Sequence, residues 1–289
     1  MIYLIGSIIL TSWLTLSFKV IERLGLNTFQ CIVFNYIFCV ITGCFVNGEI
    51  PDYVGNVQQP WFKWACLMGT VFISLFNIIG FTAQKIGVAV SSVANKLSLV
   101  IPFVFSIYLY NESATVLKVI GIISALSAVI LTCWKQKDAG EKVRSNWLFI
   151  MPVILFIGSG LLDTMIKYVE HNFLNPSNND AYLITAFSMA AFLGIIGVIT
   201  QLIRGKKFEW RAIVAGAAIG IPNYFSIWCL LQVLKLYSTN SSAIIPINNM
   251  GIVLFSAVMA WVMFRERLSA INWIGIALAM GSIALIAFG

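Results

Sequence analysis

The chain has 289 residues, of which 60% are apolar and 10% charged, and its formal net charge is +7. A soluble domain of this length usually carries about a quarter charged residues, so water is excluded as the solvent for most of this fold. The positive balance does not point to nucleic acid either, because the Lys and Arg residues are scattered through short connections and form no single patch.

Ten apolar segments follow one another, each of roughly the length that crosses a bilayer as a helix. The first five run Ile2 to Val20, Thr28 to Val46, Trp61 to Ala83, Val88 to Leu109 and Thr115 to Trp134. The second five run Trp147 to Val169, Ala181 to Ile203, Arg211 to Leu234, Asn240 to Phe264 and Ala270 to Phe288. The opening run has no basic stretch before it and no small-residue cleavage site after it, which predicts a retained helix and not a removed signal. The longest polar interruption, Asn47 to Pro60, leaves no room for a soluble domain. The predicted fold is therefore an all-α membrane protein of ten transmembrane helices.

The two halves echo each other. Lys19-Val20-Ile21-Glu22 at the end of the first segment recurs as Lys167-Tyr168-Val169-Glu170 at the end of the sixth. Lys85 with Ser91-Ser92 recurs as Lys235 with Ser241-Ser242, and Tyr110-Asn111-Glu112 as Phe264-Arg265-Glu266. Beyond those glutamates Thr115, Ile120-Gly121-Ile122 and Ala125 match Ser269, Ile274-Gly275-Ile276 and Ala279 at one constant offset. Five segments per copy is an odd number, so the second copy enters the membrane the other way up. The expected organisation is two inverted five-helix repeats, residues 1–140 and 141–289, an architecture many secondary transporters use for alternating access.

With Asn-Glu-Ser-Ala-Thr at 111–115 and Arg-Glu-Arg-Leu-Ser at 265–269, each followed by a Gly-containing helix, the whole chain resembles the drug/metabolite transporter superfamily, EamA-type. The resemblance implies a ten-helix carrier in which segments one to four and six to nine line a central cavity and segments five and ten buttress the outside. Ser113 stands where a basic residue is usual in that family.

Connections after segments one, three, five, seven and nine hold Lys19, Arg23, Lys85, Lys135, Lys137, Lys142, Arg144, Arg204, Lys206, Lys207, Arg211, Arg265 and Arg267, against Lys63, Lys118, Lys167 and Lys235 on the other face. Basic residues in short loops stay cytoplasmic, which places both termini outside a bacterial inner membrane. Family relatives often have both termini inside, so charge count and resemblance give opposite orientations.

Nothing in the chain reads as an enzyme. His171 is the only histidine, no Gly-rich phosphate loop is present, and no carboxylate pair lies at helical spacing inside a segment. Cys31, Cys39, Cys44, Cys66, Cys133 and Cys229 have no CxxC spacing and read as small hydrophobes, so neither metal nor other cofactor is expected.

Polarity at mid-membrane depth carries the functional signal, because a polar group there faces a cavity or another helix. Lys96, beside Asn95 and ahead of Pro102, is either a cationic ligand for a substrate anion or half of a structural ion pair. Asp163 is the one acid well inside a segment, and reads as a proton-coupling group, a static partner of Lys96 or a solvated residue at the rim. Pro222-Asn223-Tyr224 and Pro246-Ile247-Asn248-Asn249 sit centrally in segments eight and nine, where each proline frees a carbonyl and lets the helix bend or open. Asn35-Tyr36 and Asn77 are also near mid-depth, and Trp13 and Trp228 read as cavity walls or as packing residues. Gly216-x-x-x-Gly220, Gly121/Ala125 and Gly275/Ala279 read as close helix contacts.

The expected function is movement of a small polar metabolite, an amino acid or related organic anion, by a monomer or weak dimer in the lipid bilayer, with protons as a candidate coupling ion. Three alternatives stand beside it: a multidrug exporter, a nucleotide-sugar or phosphorylated-metabolite carrier, and a non-transporting membrane scaffold. The last requires the mid-span polar groups to satisfy one another.

Overall fold

In the computed structural model, residues 1–48, 50, 52–110, 115–134, 150–175, 178–236, 241–266 and 268–288 are described. Among them every regular element is helical: α1 (Ile2–Arg23), α2 (Thr28–Asn47), α3 (Tyr53–Asn56), α4 (Phe62–Lys85), α5 (Val88–Leu97), α6 (Val100–Tyr110), α7 (Val116–Cys133), α8 (Ile150–Phe173), α9 (Asn179–Ile203), α10 (Arg211–Leu236), α11 (Ser241–Phe264) and α12 (Ala270–Phe288). Nine helical stretches among the described residues are long and apolar enough to cross a membrane, and Ala270–Ile286 is a shorter apolar one. A chain of this kind is a multi-pass membrane protein, since helices satisfy their own backbone groups where no water can. Glu112 with Asn111 and Ser113, the basic residues Lys135, Lys137, Lys142, Arg144 and Arg267, and the 140/141 repeat boundary lie outside the described residues.

The fourth segment departs from expectation: Val88 to Leu109 is two helices, α5 and α6, interrupted at Ser98-Leu99. Pro102 explains the position of the break. A proline has no N–H to donate and its ring clashes with the carbonyl four residues back, which here is that of Ser98. That carbonyl instead accepts from Ile101 N at 2.9 Å, and Pro102 itself sits in the first turn of α6, where a missing donor costs little. Pro222 and Pro246, expected to open their helices, lie inside the continuous α10 and α11. The proline-bearing helices of membrane proteins regain the lost bond from neighbouring groups. Within the polar stretch after α2 the chain also makes the single turn α3, which the sequence pattern did not signal.

The chain forms two compact units. The first comprises Met1–Lys19, Ile78–Asp163 and Ser226–Gly289; the second comprises Val20–Asn77 and Thr164–Phe225.

In the first unit α7 and α12 make the most extensive helix pair, and α11 packs on α5 and α12. Its core includes Val93, Leu97, Ala125, Val253, Ile276 and Ala279. Gly121 of α7 lies against Leu285 and Ile286 of α12, and Gly275 of α12 lies against Leu131 and Thr132 of α7. The start of each helix thus meets the end of the other, so the pair is antiparallel. The contact is also self-complementary, because 121 to 275, 131 to 285 and 132 to 286 are all the same step along the chain. Asn272 closes the pair by donating from Nδ2 to the carbonyls of Leu131, Thr132 and Trp134 at 3.2, 2.9 and 2.8 Å.

In the second unit α2 and α9 are the principal pair, again antiparallel: Gly43 meets Ile184, Gly194 meets Val33 and Gly197 meets Phe29. A repeated step recurs here too. Gly69 of α4 sits on the Ala186 carbonyl and the Met189 side chain of α9, while Gly220 of α10 sits on the Asn35 carbonyl and the Phe38 side chain of α2. The steps 33 to 184, 35 to 186, 38 to 189, 43 to 194 and 69 to 220 are all equal. Gly216 lies on Phe34 and Asn35, so the Gly216-x-x-x-Gly220 pair is a helix contact.

Candidate functional site: two intramembrane polar clusters

The sequence-predicted site residues divide between the two units. Asn95, Lys96, Asp163, Asn248, Asn249, Trp13 and Trp228 belong to the first, and Asn35, Tyr36, Asn77, Asn223 and Tyr224 to the second.

The first cluster forms where α5 gives way to α6. Gly160 of α8 allows that helix to rest directly on Ile101 of α6. Asp163 follows three residues later on the same face of α8 and so reaches the break. There the fully buried Ser98 hydroxyl is placed between two acceptors, the Asn95 carbonyl at 2.5 Å and the Asp163 carboxylate at 3.4 Å. Lys96 is half-buried, and its ammonium lies in the field of the Asp163 carboxylate. A cation and an anion are thus held at a helix interruption, where backbone groups not used by the helix add further polarity.

Asn248 and Asn249 on α11 are buried, and the Asn248 carbonyl oxygen Oδ1 has no hydrogen-bond partner among the described residues. The buried hydroxyls of Ser7, Thr82, Ser92 and Ser256, in the same unit, also have none. Trp228 packs edge-on against Tyr3 with ring centroids 5.7 Å apart, and Trp13 is half-buried in α1.

The second cluster centres on Asn35, which is fully buried on α2. Its Oδ1 accepts from Asn223 Nδ2 at 3.1 Å and from the Cys39 thiol at 3.8 Å, and Cys39 also donates to the Gly220 carbonyl at 3.3 Å. Among the described residues Asn35 Nδ2 is left without a partner, as is the hydroxyl of Tyr36, whose ring is enclosed by Phe72, Phe76 and Phe187. Asn77 turns back to its own helix, donating to the Ile73 carbonyl at 2.7 Å, and so does not join the cluster. Tyr224 is buried with its ring edge-on to Phe225 at 5.8 Å.

Two arrangements, at Ser98 and at Gln30, escaped the sequence reading. Ser98 was overshadowed by the charges beside it, although a serine one turn before a proline marks a probable helix break. Gln30 is fully buried; its side chain donates to the Lys207 carbonyl at 3.0 Å and accepts from Glu209 N at 2.9 Å, tying the start of α2 to the connection before α10. Glu266 lies between α11 and α12, after Arg265 at a left-handed φ of 54°. Its carboxylate accepts from Val88 N at 3.0 and 3.2 Å and so caps α5. Burial pushes the Glu266 carboxyl above its ordinary value, against the opposing pull of the Val88 and Ala89 amides and the Lys19 charge. Beside it Trp261, Val262, Arg265 and Leu268 line an open depression.

No family model matches the chain. An uncharacterized protein of Haemophilus influenzae is 23% identical over 289 residues, spanning 97% of this chain and 95% of its own. A crystal structure superposes with a TM-score of 0.58 at 15% identity, covering 98% of this chain and 94% of the other. At that identity the likeness is one of fold.

Proposed function

We propose that this chain is a secondary transporter that carries a small polar metabolite, an amino acid or related organic anion, across a bacterial inner membrane by alternating access. The observation that carries the proposal is the meeting of opposite charges at the α5–α6 interruption: Lys96 and Asp163 lie inside membrane-length helices, the Lys96 ammonium in the field of Asp163 and Ser98 donating to the Asp163 carboxylate. Ionisable groups at such depth are costly and belong to solute or ion pathways by default, and an interrupted helix exposes the backbone dipoles that bind solutes in carriers. The scaffold alternative needs every mid-span polar group to be satisfied by another. Among the described residues Asn35 Nδ2, Tyr36 OH and Asn248 Oδ1 have no such partner, and groups of this kind cost several kcal/mol each in hydrocarbon unless something binds them.

The equal steps that relate Gly121 to Gly275 and Gly69 to Gly220 in antiparallel contacts support two inverted five-helix repeats. So does the division into units, since the first takes α5–α7 and the end of α4 from one half, and α11–α12 and the end of α10 from the other. With ten membrane passes and the glutamate that follows the fourth and ninth, these features favour the drug/metabolite transporter resemblance over an unrelated helical bundle. Basic connections on one face place both termini outside; a reporter fused after Gly289 is expected to read as periplasmic, and a cytoplasmic reading overturns that orientation.

The decisive test is uptake into proteoliposomes of the purified chain, scanned over amino acids, organic anions, phosphorylated metabolites and cationic dyes. Saturable movement of one class, absent from protein-free vesicles, is expected. If no solute moves in either direction under any imposed gradient, the transporter proposal fails.

A further inference from the structure

Lys96 and Asp163 leave the first cluster without net charge, and this balance limits what the site accepts. The charged groups on the helices of the first cluster can be named among the described residues. α5 supplies Lys96, the α5–α6 turn supplies the uncharged Ser98, and α8 itself carries Lys167 four residues on in sequence. α7 directs Lys118 to the face of the Phe103 ring of α6, 5.4 Å from its centroid. α11 and α12 bring no Asp, Glu, Lys or Arg over Ser241–Phe264 and Ala270–Phe288. No further ionisable side chain of α11 or α12 is therefore on hand to absorb a change of charge at this depth.

Resting on the transport proposal, we infer that this site binds a small anion through a carboxylate or phosphate oxygen on Lys96, and that each bound anion is accompanied by one proton taken up on Asp163. In the empty site the Lys96 ammonium and Asp163 carboxylate neutralise each other. An arriving anion takes over the ammonium, and an unprotonated Asp163 would then leave the site with a buried net charge of minus one. For a singly charged anion, a proton from solution on an Asp163 oxygen restores neutrality: ammonium, monoanion and carboxylic acid again sum to zero. Ser98 suits both states, because its hydroxyl donates to the carboxylate in one and to the Asn95 carbonyl in the other while accepting from the acid. A neutral site at both ends of the cycle avoids the large cost of a lone charge in low dielectric.

The experiment measures binding of lactate, glutamate and dimethyl phosphate, each singly charged over the range, to the purified full-length protein by calorimetry, between pH 5.5 and 8.5 in buffers of different ionisation enthalpy. Wild type is expected to take up one proton per anion, with affinity falling about tenfold per pH unit at the alkaline end. Lactate or glutamate binding without dimethyl phosphate binding assigns a carboxylate ligand, and the converse a phosphate oxygen. Asp163→Asn, which mimics the acid, is expected to bind the same anion with no proton uptake and a flat pH profile. Lys96→Gln is expected to lose anion binding by at least a hundredfold. The double variant Lys96→Gln/Asp163→Asn controls for folding, since neither charge is then buried alone, and is expected to melt no lower than either single variant. Anion binding retained in Lys96→Gln, proton uptake retained in Asp163→Asn, or no response to any of the three anions in wild type each overturns the inference. Uptake of a cation or zwitterion by Lys96→Gln proteoliposomes leaves the transport proposal standing while the anion assignment falls.

Discussion

Replacing Glu266 separates what its carboxylate does as a hydrogen-bond acceptor from what it does as a charge. Glu266→Ala removes the acceptor from Val88 N and leaves the first turn of α5 uncapped in a buried setting. Loss of a cap typically costs about 1–2 kcal/mol, which in a chain of this size corresponds to roughly 2–4 °C of melting temperature per kcal/mol. Glu266→Gln keeps a carbonyl oxygen for Val88 N and removes only the charge. Because burial raises the carboxyl above its ordinary 4.5, the folded protein holds its proton more tightly than the unfolded chain does. Stability from this group is therefore gained as pH falls through the raised value towards 4.5, and lost as pH rises back through it. Gln is already neutral, so Glu266→Gln is expected to melt within about a degree of wild type near neutral pH and to lack that acid-side increment. Thermal melts of the three proteins in detergent between pH 4.5 and 8, with uptake rates measured alongside, provide the check. Glu266→Ala melting like wild type refutes the cap, Glu266→Gln retaining the full pH dependence refutes the charge argument, and a changed substrate preference in Glu266→Gln refutes the assignment of Glu266 to structure.

Gly69→Ala and Gly220→Ala place a methyl group against the same kind of neighbour, a carbonyl oxygen of the facing helix. Each is expected to destabilise by about 1–3 kcal/mol, and by similar amounts, as read from paired thermal melts; a tolerated Gly69→Ala beside an unfolded Gly220→Ala breaks the proposed equivalence. Pro102→Ala restores an N–H that can donate to the Ser98 carbonyl, so α5 and α6 are expected to join, with melting unchanged or raised and transport at least tenfold slower. Full transport by Pro102→Ala shows that the interruption is not part of the site.

The membrane assignment was legible because it rests on composition and segment length, which no tertiary detail alters. The contacts of Gly121 with α12 and of Gly220 with α2 were legible for a related reason: small residues at helical spacing in an apolar segment have few uses besides close approach. The α5–α6 break was only half legible. Pro102 was visible, but Pro222 and Pro246 looked equivalent to it, and only the structure shows that those two lie inside continuous helices while Pro102 lies in the first turn of one. Asn77 shows the reverse difficulty. Its depth suggested a site residue, yet an asparagine can spend its donor on its own helix, and the sequence does not reveal which way it turns. Gln30 was hidden, and so was the partner of Glu266, because both bond to backbone groups distant in sequence, and backbone leaves no residue-type signature to pair with.

The equal steps along the chain also indicate where function departs from scaffold. The glycines that obey them, Gly121 and Gly275 or Gly69 and Gly220, make corresponding contacts with the facing helix. At the step from Ser91 to Ser241, however, Lys96 falls on Pro246 and Ser98 on Asn248, and at the step from Lys19 to Lys167, Asp163 falls on Thr15. Both ionisable members of the first cluster thus have neutral counterparts. On the proposed two-repeat reading, a structural ion pair required by the architecture would be expected in both halves. A pair found in one half alone is not demanded by the repeat, and a buried charge pair contributes little net stability to repay its desolvation. On the transport proposal, its presence is better explained by something it binds than by the fold it sits in.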